Sequence, residues 1–362
     1  MVSDKQISAI RRRRKVAATN ARALGRALPY LEHTRAMNEV ARINDCCTWW
    51  GWDVYHPDKM MVVDRVNRCE SRLCPNCLHM RSVEVYNRHA ANLEAKLGYT
   101  YHVTLTIPNV NGEDLRDSLK ALTQGFTRLW RSGKLCGHAM AGALRAIEVS
   151  YNHTRKRRGE TPFHPHLHCL IVLDKPVPHA EMVRTIHTGT YDFKRKEEVK
   201  LSTLEHSLGE RWAATMGAPG ESYLVRVRLV EDTKGLFEVV KYPAKFDSFG
   251  DMSDEDFAAY YLAIRGRRLR QGYGTLYNVA DESADMTEVS TTTKGEVVEM
   301  LGYEPEGIRL SIDDGFEKYE GYRRFGSYAD VTISNIGECF PTEGDGEPPA
   351  GNSRVVNITV NM

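Results

Sequence analysis

The chain has 362 residues, room for two domains, and its 41% hydrophobic content permits a sizeable core. No apolar run approaches the roughly 20 residues that a membrane span needs, and the basic run at residues 11–15 has no apolar stretch after it, so membrane and secreted classes are excluded and a cytoplasmic protein is expected. The net charge of +1 conceals an asymmetry: residues 276–362 hold 17 Asp and Glu against 6 Lys and Arg, leaving a net of +12 on the basic body, a balance that suits nucleic acid.

Residues 1–40 form a basic, Ala-rich arm with Arg11, Arg12, Arg13, Arg14, Lys15, Arg22 and Arg26. Two readings stay open for it, a helix lying on DNA or a flexible solvated leader. Residues 41–95 hold five of the eight cysteines. Clustered cysteines in an intracellular chain favour a metal over disulfides. Cys74-Pro75-Asn76-Cys77 makes a tight thiolate knuckle and Cys69 adds a third sulfur. A structural Zn²⁺ wants a fourth ligand, for which Cys47 or Cys46 is expected, with His79 as the alternative. The long loop between ligand pairs is typical of zinc ribbons, and Trp49, Trp50 and Trp52 in that loop would cover the site. Arg72 and Arg81 flank the knuckle and could meet phosphates.

Residues 96–275 read as one α+β domain. Strands are expected over 99–107, 144–152, 163–173 and 223–230, where apolar and polar residues alternate or β-branched runs occur. Helical spacing covers 114–130, and 177–216 reads as mainly helical with Trp212 in its core. Adjacent strands with a few covering helices argue an antiparallel sheet. Residues 276–362 read as an acidic, partly flexible region.

The strand at 163–173 carries His164, His166 and His168 on one face, because side chains alternate. Histidines two apart sit roughly 7 Å apart along a strand, so inward-leaning rings can share a metal. Glu148 falls on the preceding strand and would add a carboxylate. His–His–Glu ligation with open positions suits Mn²⁺ or Mg²⁺. His164 is open between ligand, outer partner and strand-edge residue. Further on, a helix through 235–245 would put Glu238 and Tyr242 on one face, with Lys245 after them. A tyrosine hydroxyl is a weak nucleophile unless a metal polarises the target and lysines offset charge. Pro243 disfavours helix at the residue before it, so the helix either starts near Pro243 or kinks there.

Together these segments resemble the plasmid rolling-circle replication initiators among the His-hydrophobe-His (HUH) endonucleases. The resemblance rests on four motifs in order: the cysteines from Cys69 to Cys77 with Arg81, the Thr104-Leu105-Thr106 strand, Glu148 leading to His166-Leu167-His168, and Glu238-x3-Tyr242-x2-Lys245. It implies a five-stranded ferredoxin-like sheet with the His pair on a central strand, and a metal on His166 and His168. It implies that Tyr242 nicks an origin hairpin or single strand, becomes joined to the 5′ end and leaves a 3′-OH primer. Glu238 would activate water for termination, and Lys245 with Lys241 would stabilise the phosphate. Arg155, Arg157, Arg158, Arg267 and Arg268 would hold DNA backbone. No P-loop is present, so a host helicase and polymerase would be partners.

Rival readings are an HUH relaxase or single-strand transposase, a non-catalytic zinc-ribbon DNA-binding regulator, and a histidine-triad nucleotide hydrolase. The histidine-triad reading fits the cysteines, the basic body and the Glu238/Tyr242 pair poorly.

Overall fold

The computed structural model describes residues 4–55, 60–82, 94–192, 196–232 and 249–277, with short strands at 306–311, 331–333 and 358–360. The chain divides into two compact units, residues 1–84 with 285–362, and residues 85–284.

In the first unit, α1 (Asp4–Arg26) and α2 (His33–Asp45) are joined by a short turn with Pro29 near its start. The buried positions of α1, Ile10, Arg13, Ala17, Asn20, Ala21, Ala23 and Leu24, gather on one side of the helix. Asn20 Nδ2 donates to the Leu73 carbonyl at 2.8 Å, which ties α1 to the cysteine segment. Two strands follow, β1 (Trp49–Tyr55) and β2 (Met60–Val66). The segment expected as a loop carrying Trp49, Trp50 and Trp52 is therefore a strand, as its aromatic and β-branched content favours. Cys74 immediately precedes a helix that begins at Pro75, a residue preorganised for the first helical turn.

The second unit begins with β3 (Thr100–Thr106), α3 (Gly112–Arg131), β4 (Lys134–Leu135) and the long β5 (His138–Tyr151). A single turn, α4 (His153–Arg157), leads into β6 (Phe163–Leu173). Then come α5 (His179–Met182), a hairpin of β7 (Arg184–Asp192) and β8 (Glu197–Ser202), α6 (Thr203–Thr215), β9 (Val225–Leu229), α7 (Asp254–Ile264) and β10 (Arg270–Gly274). Five antiparallel strands run in the order β10-β5-β6-β3-β9, with β4 paired to β5 off this path. In the first unit a three-stranded sheet pairs β1 with β2 and with β11 (Glu306–Ser311), and β12 (Val331–Ile333) pairs with β13 (Ile358–Val360). The domain is α+β, as the alternating segments predict.

One expectation fails in the second unit: residues 177–216 are not mainly helical. β7 and β8 pair antiparallel there, and β7 is rich in β-branched and aromatic residues (Thr185, Ile186, Thr188, Thr190, Tyr191) that resist helix. Only α6 is a regular helix there, started by a capping box in which Ser202 and Glu205 satisfy each other's backbone amides.

β6 is the central strand. Phe163, Leu167, Cys169 and Ile171 are fully buried on one face, where helices cover the sheet. Leu115, Leu119, Leu122, Phe126 and Leu129 of α3 supply the facing apolar stripe. Trp212 of α6 is fully buried, and its Nε1 donates to the Thr106 carbonyl at 2.8 Å. Pro165 is unusual in a central strand, since it cannot donate to a ladder. Phe163 exchanges backbone hydrogen bonds with Val110, so odd residues of β6 point their N–H groups towards β3. The β3 ladder has already ended at Thr106, opposite His166, so no hydrogen bond is lost at Pro165.

Candidate functional site

The other face of β6 carries His164, His166 and His168. The register places Glu148 of β5 opposite His166 and Ala146 opposite His168, while Thr104 and Thr106 of β3 lie opposite His168 and His166. Ala146 is small, so the Glu148 carboxylate can lean diagonally across the sheet. Its Oε2 is 2.8 Å from His168 Nε2 and 3.5 Å from His166 Nε2. Glu148, His166 and His168 each offer one ligand atom, all within 4.8 Å of one another. Glu148 and His166 are buried and His168 is half-buried, so the group opens towards solvent at one side.

Burial alone would raise the Glu148 pKa. Hydrogen bonds from His166 and His168, with their charge, outweigh it and hold the carboxyl down at about 2. His166 Nδ1 lies 3.0 Å from the His164 carbonyl, an acceptor, so Nδ1 donates there and the ring is turned with Nε2 towards Glu148. His168 Nδ1 sits 3.0 Å from His102 Nε2 and 3.4 Å from Thr104 Oγ1. Burial, with lesser contributions from His168 and Arg228, pushes His102 down to about 3, so it is neutral and can accept. His102 and Thr104 stand in the strand that the motifs single out, yet nothing marks them as partners of His168. Their one signal is the period of two: 102, 104 and 106 share a face, and the pairing lays that face beside the histidines.

His164 is the outer member. Its Nδ1 contacts Asn109 Oδ1 at 2.8 Å, and it stands outside the Glu148–His166–His168 group. Burial foremost, then the charges of His166 and Arg155, lower it to about 4 against the opposing pull of Glu148. The set of one carboxylate and two imidazoles fits a divalent cation of the Mn²⁺ or Mg²⁺ kind, with positions left for substrate oxygens.

The cysteines build a second candidate metal centre, in the first unit. Cys46, Cys69, Cys74 and Cys77 are buried and their sulfurs lie within 4.8 Å of one another. Cys46 Sγ is 3.4 Å from Cys77 Sγ and 3.5 Å from Cys74 Sγ, and Cys69 Sγ is 3.6 Å from Cys77 Sγ. Four sulfurs about 2.3 Å from one zinc would stand about 3.8 Å apart, so the quartet fits Zn²⁺ with little movement. Cys46 therefore takes the fourth place rather than Cys47 or His79. Cys47 has a φ of 58° at the turn into β1, where its amide donates to the Asn67 carbonyl, and its sulfur lies 3.6 Å from Cys46 Sγ. Sulfur contacts with Cys47, Cys69, Cys74 and Cys77 lower the Cys46 thiol pKa against the opposing effect of burial. The described residues do not confirm a zinc ribbon: the quartet joins the end of α2, the loop after β2 and a helix start.

The basic residues fall in three places. Arg72 and Arg81 border the quartet, with Arg81 NH2 on the Glu70 carbonyl at 3.1 Å. Arg155, Arg157 and Arg158 lie on and just after α4, at the His164 end of the central hairpin. Arg155 also pairs with Glu160 at 3.1 Å, and Arg158 is exposed. Arg267 and Arg268 lead into β10, with Arg267 NH2 on the Arg116 carbonyl at 2.9 Å. Lys241, Glu238, Tyr242 and Lys245 lie outside the described residues.

An antiparallel sheet whose central strand presents two histidines and a neighbouring glutamate defines a candidate metal centre open to solvent at one side. Comparison with known proteins narrows this. A family model described as "Replication protein" matches residues 60–178, which contain the Cys69–Cys77 motif, Glu148 and all three histidines. "Protein rep" of Bacillus amyloliquefaciens is 26% identical over 266 residues, 67% of this chain and 76% of that protein. "Protein rep" of Streptococcus pneumoniae is 33% identical over 241 residues, 64% of this chain and 66% of that protein, and "Protein rep" of Staphylococcus aureus is 26% identical over 146 residues, 38% of this chain and 59% of that protein. No solved structure matches. The chain belongs to the replication-protein family of plasmid rolling-circle initiators that its motifs resemble.

Proposed function

We propose that this protein initiates rolling-circle replication by nicking one DNA strand at an origin through a covalent 5′-phosphotyrosine intermediate, and later rejoins or releases the strand. The observation that carries the reading is the Glu148–His166–His168 group on the central strand of the sheet, within the stretch matched by the replication-protein family. Glu148, His166 and His168 would hold Mn²⁺ or Mg²⁺. A bound divalent cation would polarise the scissile phosphate and offset its charge. Glu148 supplies a carboxylate that stays ionised. His166 is oriented by the His164 carbonyl and His168 by His102 and Thr104. In this reading the Tyr242 oxygen attacks phosphorus, the P–O3′ bond breaks, and the phenolic proton is lost as the 3′ oxygen gains one. Glu238 would take a proton from water for termination, and Lys245 and Lys241 would balance phosphate charge. Arg155, Arg157 and Arg158, at the histidine end of the sheet, suit backbone contact rather than sequence reading. The cysteine quartet would carry structural Zn²⁺. The host helicase and polymerase remain proposed partners, and the family membership favours an initiator over a relaxase, a transposase or a binding-only regulator.

The test is strand cleavage. Purified protein with Mn²⁺ should nick one single-stranded oligonucleotide from its own replicon. Glu148→Gln and His168→Ala should each lower the rate by at least about 100-fold, the scale of losing one oriented catalytic group. Unchanged cleavage in both variants would overturn the assignment of this centre.

A further inference from the structure

We propose that α1 is a second, separate DNA-binding element, which seats its basic face along the phosphate backbone of duplex DNA. The proposal rests on the DNA-acting reading above and goes beyond it, because α1 belongs to the first unit and the histidine centre to the second. Residues 10, 13, 17, 20, 21, 23 and 24 form the buried side, and Asn20 anchors it to the Leu73 carbonyl beside the cysteine quartet. At 100° per residue, Arg11, Lys15, Arg22 and Arg26 cluster within about 60° of one another on the opposite side. All four are exposed. Arg22 also donates to Thr19 Oγ1, at 3.2 Å, on the same side. No Asp or Glu occurs between Arg11 and Arg26, so that stretch of the helix carries charge of one sign only.

The geometry selects the partner. From Arg11 to Arg26 the helix rises about 22 Å, or about six base-pair steps of 3.4 Å, so the stripe can track consecutive phosphates. An anionic membrane would need the apolar face of the helix, and that face is already buried against the helix's own unit. A stripe of charge that follows the phosphates predicts binding that is salt-sensitive and carries little sequence preference. Such a contact would hold the initiator on double-stranded origin flanks while the histidine centre works on the single strand.

The experiment uses the full chain carrying Arg11→Gln, Lys15→Gln, Arg22→Gln and Arg26→Gln. Circular dichroism and zinc content should match the parent, since glutamine is a good helix former. Affinity for a 30-base-pair duplex is measured against salt concentration. The slope of log K against log salt should flatten by about 3.6, at roughly 0.9 per lost phosphate contact, and affinity should fall at least about tenfold near 0.1 M salt. Arg11→Lys, Arg22→Lys and Arg26→Lys together should keep the slope, because phosphate contact needs the charge. Nicking of a short single-stranded oligonucleotide should persist in the glutamine variant. An unchanged slope, or a loss confined to anionic vesicles, would overturn the proposal while leaving the nicking reading intact. Absence of nicking in the parent would overturn that reading and leave the duplex slope to judge α1.

Discussion

Glu148 is buried, and a buried carboxylate is costly unless it is paired. Two imidazoles on the neighbouring strand supply the pairing. The alternation of His164, His166 and His168 made their shared face legible from sequence, and Glu148 could be inferred once a neighbouring strand was assumed. The sequence could not reveal that the carboxylate leans towards His168, nor that His102 backs the same ring, because both depend on strand register. His102→Gln should weaken Mn²⁺ binding by roughly 10- to 100-fold, the usual effect of losing a group that orients a ligand. Titration calorimetry or Mn²⁺ EPR on the DNA-free protein would read this, and His102→Asn, which cannot reach as far, should do no better.

At the scale of elements, the basic turn α4 is held to α7 by one carboxylate. Asp256 Oδ2 accepts from Tyr151 OH at 2.7 Å and pairs with Lys156 Nζ at 2.8 Å. Burial would raise its pKa, but the hydrogen bonds from Lys156, Tyr151 and Ser253 lower it below the ordinary value. A depressed carboxyl pKa gives stability that is present above the unfolded value and lost as pH falls through the folded one. The stability gap between the parent and Asp256→Asn should therefore be constant above about pH 5 and close below about pH 4. Urea midpoints across that range would show it, and a gap that widens in acid would contradict it. Gly209 in α6 is tighter still: a Cβ there would lie 2.5 Å from the Tyr223 carbonyl oxygen. Gly209→Ala should cost about 1–3 kcal/mol in urea denaturation. Such contacts are invisible in sequence, as was the β7–β8 hairpin. Its first strand is Thr-rich, mostly exposed and without an apolar period, and the second is too short for the alternation of Val199 and Leu201 to stand out.

At the scale of the molecule, the metal-ligand chemistry was more legible than the architecture that holds it. The Cys74–Cys77 knuckle and Cys69 stood out by spacing, while the choice of Cys46 over Cys47 turned on one left-handed residue. The quartet lies in the first unit and the histidine group in the second, so the two metals should be separable. Cys74→Ser should lose about one Zn²⁺ per chain and expose α1 and α2 to limited proteolysis, while the sheet strands β3, β5, β6 and β9 resist it. Loss of protection in both units would contradict this independence. The central claim is the covalent one. Protein and its Tyr242→Phe variant would be mixed with Mn²⁺ and tiled single-stranded oligonucleotides from the replicon, then resolved by denaturing gel and mass spectrometry. The account predicts a DNA adduct on the Tyr242 peptide, absent from the variant and blocked by EDTA. DNA binding with no adduct on any strand would contradict it.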